Sequence, residues 1–189
     1  MNDKIAYYNQ FEEKMAQALI RLCQECNYIG DQLLEVEELD LKWHEMAPEY
    51  MINAVPDIAK YPMVAIGWAS YLGMGMATVW DGDWEQYSKK EDLYQSFVAP
   101  RGWDSMDDYI METLMGFKPD SEEKNQLVIL MQDLSELALT LIRKEHIEPQ
   151  SVDAFHIFAR TVKTMFSIGV SIALKMLGYK YEKLTLPQA

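Results

Sequence analysis

The chain has 189 residues, of which 30 are acidic and 17 are basic, so its formal net charge at pH 7 is −13. This charge opposes binding to the phosphates of nucleic acids and to anionic membranes, so we expect neither as a partner. A chain of this length can bury a core without a metal or a disulfide, and we predict a single all-helical domain over residues 1–189.

The first third of the chain predicts two long helices and a region broken by prolines. Apolar residues recur every three or four positions from Asp3 to Ile29, which predicts an amphipathic helix that ends at Gly30. Asp31 is then expected to cap a second helix that runs to about Met46. Because an interior proline removes a hydrogen bond, three prolines should divide the next fifteen residues into short helical pieces. The apolar set of the first helix is Tyr8, Phe11, Met15, Ala18, Leu22, Cys26 and Ile29, and the prolines are Pro48, Pro56 and Pro62.

The stretch from Tyr61 to Trp80 contains no charged residue, although a quarter of the whole chain is charged. At helical spacing its small residues form one ridge that another backbone can approach closely. We predict a buried helix at the centre of the fold, ending at Asp81-Gly82. A membrane span is the alternative, but the glycines, Pro62 and the lack of a flanking positive cluster disfavour it. The ridge consists of Ala65, Ala69, Gly73 and Ala77, with Gly67 and Gly75 beside it.

The remaining sequence predicts four more helices and a short tail. Asp83 should cap a helix to about Phe97, and Asp104 or Ser105 should open a shorter one to Phe117. A strong helix is predicted from Asp120 or Ser121 to about Lys144, and another is predicted from Ser151 to Leu177. Gly178 should close the last helix, and residues 179–189 should form an irregular tail. Gly169 and Ala173 predict that the last helix crosses the central helix closely. The expected fold is therefore an all-α multi-helix bundle.

Aromatic and acidic residues in and just after the central helix are the first candidates for binding. Their ring faces and carboxylates would suit a planar or amphipathic ligand with a cationic group, if they line a cavity. The alternative is that they fill the core or cover a subunit interface. The candidate ligand-binding residues are Trp68, Tyr71, Trp80, Asp81, Asp83 and Trp84.

Three pairs of residues have the spacing of metal or redox sites, but each has a simpler interpretation. Cys23 and Cys26 lie near the C-terminal end of a helix, where no dipole lowers a thiol pKa, so we expect reduced thiols with Cys26 in the core and Cys23 partly exposed. Asp40 with His44, and Asp153 with His156, could share a metal if the two pairs converge. We predict no cofactor, and a metal-binding helical bundle remains an alternative.

Neither a nucleophile elbow, nor a phosphate loop, nor a dinucleotide fingerprint is present. The N-terminal residues contain no apolar signal core, which favours a cytoplasmic location. The leading hypothesis is a non-enzymatic helical protein that self-associates or binds a protein partner through an apolar helical face. A small-molecule-binding protein or enzyme, with its pocket near residues 80–84, is the alternative.

Overall fold

The structure is a computed structural model that describes residues 2–181, and within this range every regular element is helical. The predicted all-α multi-helix fold is confirmed. Its buried apolar side chains form one continuous cluster. The helices are α1 (Asn2–Glu25), α2 (Glu37–Asp57), α3 (Pro62–Tyr87), α4 (Leu93–Val98), a 3-10 turn (Trp103–Ser105), α5 (Met106–Asp108), a π-helix (Tyr109–Leu114), α6 (Glu122–Lys144) and α7 (Val152–Met176).

The two C-terminal helices begin where their capping residues predict. The side chain of Ser121 accepts a hydrogen bond from the backbone N–H of Lys124, and Ser151 does the same for Ala154. Each serine satisfies one of the free donors of the first helical turn. At the other end of α7, Gly178 has a positive φ of 93° and closes the helix as predicted. Tyr179 to Tyr181 are irregular, and the rest of the predicted tail lies outside the described residues.

The boundaries of the first two helices differ from the prediction. Helix α1 ends at Glu25, because Asn27 adopts a left-handed φ of 61° and the N–H of Tyr28 donates to the carbonyl of Cys23. Asparagine tolerates this conformation, and Asn27 ends the helix in place of Gly30, which was predicted to do so. Asp31 caps no helix. Residues 30–36 are irregular, and α2 begins only at Glu37.

The prediction that prolines break the chain after Met46 is wrong for two of the three. Pro48 and Pro56 lie inside α2, which continues to Asp57, whereas Pro62 begins α3. A proline at position i leaves the carbonyl of residue i−4 without a donor, and the residues affected here are His44 and Ile52. Both of these residues are exposed, so water can satisfy the carbonyls and the helix can continue.

Helix α3 continues through Asp81-Gly82, where the sequence predicted a stop, and it is kinked at Asp83. Asp83 has non-helical angles (φ −145°, ψ 60°), and its carboxylate accepts the N–H of Gln86 at 3.3 Å. The predicted cap is therefore present, but as a kink within a longer helix. The helix beyond it ends at Tyr87 rather than near Phe97. A second cap at Asp92 then begins the separate helix α4.

Helices α3 and α7 cross with their backbones in contact, which confirms the close crossing predicted from the small residues. A methyl group placed on Gly169 would lie 2.7 Å from the carbonyl carbon of Ser70 and closer still to its oxygen. A methyl on Gly73 would lie 2.9 Å from the backbone nitrogen of Val170 and would overlap the carbonyl oxygen of Phe166. Helix α3 also packs against α2, α4, α5, the π-helix and α6.

Candidate functional site

Trp68 and Tyr71 belong to an aromatic network that joins α2, α3 and the 3-10 turn. The indole N–H of Trp68 donates to the carbonyl of Trp103 at 2.6 Å, and the Trp103 indole donates to Asp57 at 2.8 Å. Tyr71 is buried and meets the Trp68 ring edge to face, with centroids 5.5 Å apart. Burial raises the pKa of Tyr71, and the negative charges of two nearby aspartates, Asp107 and Asp108, raise it further. These contacts are typical of side chains that pack the interior, which is the alternative interpretation of Trp68 and Tyr71.

The other four predicted binding residues lie around the kink of α3. The Trp80 indole donates to Glu38 at 2.7 Å, and the carboxylate of Asp81 accepts the Tyr179 hydroxyl at 2.7 Å. The Asp83 carboxylate caps the helix after the kink, and Trp84 packs partly buried against the core. The polar groups of three of these residues thus have partners within the chain.

The six predicted residues form two separate groups. At a rise of 1.5 Å per residue, Trp68 and Trp80 lie about 18 Å apart along α3. None of the six lines either of the two cavities described below. The assignment of a ligand to them remains a prediction.

The two cysteines have the opposite environments to those expected. Cys23 is fully buried and Cys26 is exposed, and neither forms a disulfide. The buried stripe of α1 runs from Met15 through Leu19 to Cys23, so it continues in steps of four, and Cys26 lies just beyond the end of the helix. Burial, with a smaller effect of Cys26, raises the pKa of Cys23 to about 12. The Cys23 thiol is therefore protonated and unreactive at neutral pH.

The two Asp/His pairs do not assemble into one site. In the first pair, His44 Nε2 lies 3.9 Å from Asp40, and both side chains are more than half exposed. In the second pair, Asp153 accepts hydrogen bonds from Lys4 and Tyr8, while His156 stacks on the Tyr8 ring. Among residues 2–181, no group of three or more His, Cys, Asp or Glu side chains is arranged to hold a metal ion.

A buried lysine of α6 forms ion pairs with carboxylates of α5 and the π-helix. Lys124 is 7% exposed, and its ammonium donates to Asp108 at 2.8 Å and to Glu112 at 2.7 Å. Glu112 also accepts from Arg101 at 2.6 Å. Burial alone would lower the pKa of Lys124, but the two carboxylates outweigh it and the pKa is raised. The hydrogen bonds from Lys124 and Arg101 lower the pKa of Glu112 below its usual 4.5.

This network predicts a loss of stability in acid. Because Glu112 has a lower pKa in the folded chain than in the unfolded chain, its contribution is complete above pH 4.5 and is lost as the pH falls through the folded value. We expect Glu112→Gln to reduce the dependence of the melting temperature on pH below 4.5, as measured by circular dichroism. Glu123→Gln is the control, since Glu123 is exposed and forms no ion pair within residues 2–181. Equal pH dependence in the two variants would contradict the prediction.

Helix α2 is apolar on two opposite sides. Its inner side buries Leu39, Trp43, Met46, Tyr50 and Ala54. At 100° per residue, four further apolar residues lie on the opposite side, and we call them the outer α2 strip. Two of them are the isoleucine at position 52, which is 72% exposed, and the leucine at position 41, which is 58% exposed. The outer α2 strip comprises Leu41, Pro48, Ile52 and Val55.

A groove of about 610 Å³ lies between α1, residues 33–36 with the first turn of α2, and α7. A second cavity of about 390 Å³ lies on the other side of residues 30–34, against the end of α7 and Tyr179–Tyr181. Residues 30–36 thus cross α7 as a strap between two cavities, held where the N–H of Leu34 donates to Ser171 at 2.8 Å. Sequence reasoning missed the groove, because α7 is far in sequence from α1 and residues 33–40, and no sequence pattern shows that they meet.

Comparison with known proteins finds no matching family model, no matching curated protein and no matching solved structure. The fold and its contacts define an all-α multi-helix protein. Among residues 2–181, two helices, Pro62–Tyr87 and Val152–Met176, are long and apolar enough to cross a membrane, with mean hydropathies of 1.2 and 1.4 over an 18-residue stretch of each. Over an 18-residue stretch of each helix, 72% and 78% of the residues are buried inside the protein, where the two helices pack against each other.

Proposed function

We propose that the protein is a non-enzymatic, cytoplasmic helical protein that self-associates through the outer α2 strip. The observation that carries the proposal is the second apolar side of α2, which no part of residues 2–181 covers. A helix on the surface of a monomer needs one apolar side, and a helix with two is typical of an interface. The net charge of −13 and the burial of both apolar helices support a soluble rather than a membrane-bound form.

Charge favours an antiparallel pairing of two copies of α2. The first turn of α2 is acidic, with Glu37, Glu38 and Asp40, whereas the charge of Asp57 at its C-terminal end is balanced by Lys60. An antiparallel pair places the acidic end of each helix beside the lysine of the other and aligns the helix dipoles favourably. A parallel pair would bring the two acidic ends together. We therefore propose a two-fold symmetric dimer, in which each strip covers the other.

The test is the oligomeric state of an Ile52→Glu variant. Wild-type protein is expected to sediment as a dimer at tens of micromolar, and the variant is expected to sediment as a monomer whose circular dichroism spectrum is that of the folded wild type. An unpaired charge at the centre of the interface would weaken the dimer by about 3 kcal/mol, or roughly a hundredfold in dissociation constant.

Ile129→Glu provides the matched control for this substitution. Ile129 is 57% exposed on α6, and its helical neighbours Asn125, Gln126, Gln132 and Asp133 are all exposed and polar. The control is expected to remain dimeric. A wild-type protein that is strictly monomeric at tens of micromolar, or a dimer that both variants disrupt equally, would refute the proposed interface.

A further inference from the structure

We propose that the groove between α1 and α7 is a binding site for a small amphipathic organic cation, such as an alkylammonium ion. The apolar contact of the proposed dimer lies outside this site, because the outer α2 strip contributes no residue to the groove, and only the acidic first turn of α2 is near both. Its volume, about 610 Å³, lies within the range of small-molecule pockets, which is about 300–1,000 Å³. A groove of this size suits one small molecule better than a whole helix.

The floor of the groove is apolar and rigid. Phe166 and Leu39 are each 1% exposed, and Phe166 is fixed by stacking on Trp43 with ring centroids 4.7 Å apart. Ala16 and Ile20 of α1 form one wall, and their short or branched side chains leave room between the helices. The hydroxyl of Thr164 donates to the carbonyl of Arg160, so this donor already has a partner and needs no acceptor from a ligand. The floor therefore suits a hydrocarbon chain or ring.

The rim of the groove carries acidic residues from three segments, which are α1, residues 33–36 and the first turn of α2. Five carboxylates line it and only one amine, from Lys163. Of the five, Glu12 is neutralised by Arg160 at 3.1 Å, and Glu37 and Asp40 lie in the first turn of α2, where the helix dipole partly balances them. The carboxylates are Glu12, Glu13, Glu35, Glu37 and Asp40.

Two of these carboxylates have no such compensation. Glu13 lies on α1 and Glu35 lies on the strap, and neither forms an ion pair or a side-chain hydrogen bond within residues 2–181. Carboxylates on two separate elements that face one groove raise the negative potential there, because the low-dielectric walls of a cleft focus the electric field. A cationic group at the rim and an apolar body on the floor would complement both features.

The experiment is calorimetric titration of the full chain with hexyltrimethylammonium, and with hexyl sulfate as the probe of opposite charge. We expect the cation to bind with one-to-one stoichiometry, more weakly as salt is added, and the sulfate to show no binding. The double variant Glu13→Gln/Glu35→Gln should lose about fivefold in affinity for each carboxylate, which corresponds to an exposed ion pair of about 1 kcal/mol.

Two further variants separate the groove from general electrostatics. Glu123→Gln/Glu136→Gln changes the net charge by the same amount on α6, away from the groove, and is expected to bind like the wild type. Ala16→Trp should fill the groove and abolish binding, while its circular dichroism spectrum stays that of a folded helical protein. Equal binding of both probes, equal loss in both double variants, or full binding by folded Ala16→Trp would overturn the proposal. If a basic amphipathic peptide bound more tightly than hexyltrimethylammonium, and Ala16→Trp abolished that binding too, the occupant would be a peptide and not a small molecule.

Discussion

Replacing Gly169 by alanine is expected to lower the free energy of unfolding by about 3 kcal/mol, near the upper end of typical overpacking costs. The added methyl group would overlap the carbonyl group of Ser70, with the carbon only 2.7 Å away. Because the clash is with backbone, no side chain can rotate to relieve it, and α7 must move away from α3. This crossing is the most extensive contact between two elements in the described fold, so the movement disturbs the whole core.

The same substitution at Gly82 is the control. Gly82 lies in α3 on the exposed side, and a methyl group there would meet nothing within 4 Å. We expect Gly82→Ala to be neutral or to stabilise by up to about 1 kcal/mol, since alanine is the better helix former. Urea denaturation followed by circular dichroism measures both changes. A Gly169→Ala variant as stable as the wild type would show that the helices do not cross as closely as described.

Replacing Phe97 by alanine is expected to cost about 4 kcal/mol, the usual range for removing a buried aromatic ring. Phe97 is fully buried, and its ring lies against Gly75 of α3. It belongs to α4, a helix of six residues, which is far too short to be stable by itself. The helix is therefore held by its four buried side chains, and the loss of the largest apolar one should release it.

The variant Phe155→Ala tests whether burial is the cause of the stability loss expected for Phe97→Ala. Phe155 is 52% exposed at the start of α7, so the same truncation should cost only about 0.5 kcal/mol. Hydrogen exchange adds a local measurement, because the amides of α4 should lose protection in Phe97→Ala before the amides of α6 and α7 do. Equal stabilities for the two variants would contradict the packing described for α4.

Local signals in the sequence predicted helix boundaries well where a capping residue acts by itself. Ser121, Ser151 and Gly178 each satisfy backbone groups within a few residues, so their effect depends little on the rest of the fold. Prediction failed where solvent exposure decided the outcome. Pro48 and Pro56 are tolerated where the residues whose carbonyl groups they leave free, His44 and Ile52, are exposed to water, and no sequence pattern reveals that exposure.

The stripe on α1 shows how a small ambiguity changes which residues are buried. After Met15 the chain offers apolar residues at both three and four positions ahead, Ala18 and Leu19, and the sequence-based choice followed the first. The structure buries Leu19 and then Cys23, because α7 and α6 contact that side of the helix. The same choice reversed the predicted environments of the two cysteines.

The sequence by itself determined that the chain is helical and that α3 and α7 cross closely, since helical periodicity and small residues are properties of each segment alone. Only the tertiary structure decided which charges and cavities meet. Lys163 shares one groove with Glu13 and Glu35 although it is far from both in sequence. The physical reason is that a helix turns by 100° at each residue, so its neighbours in space depend on which helices pack against each side.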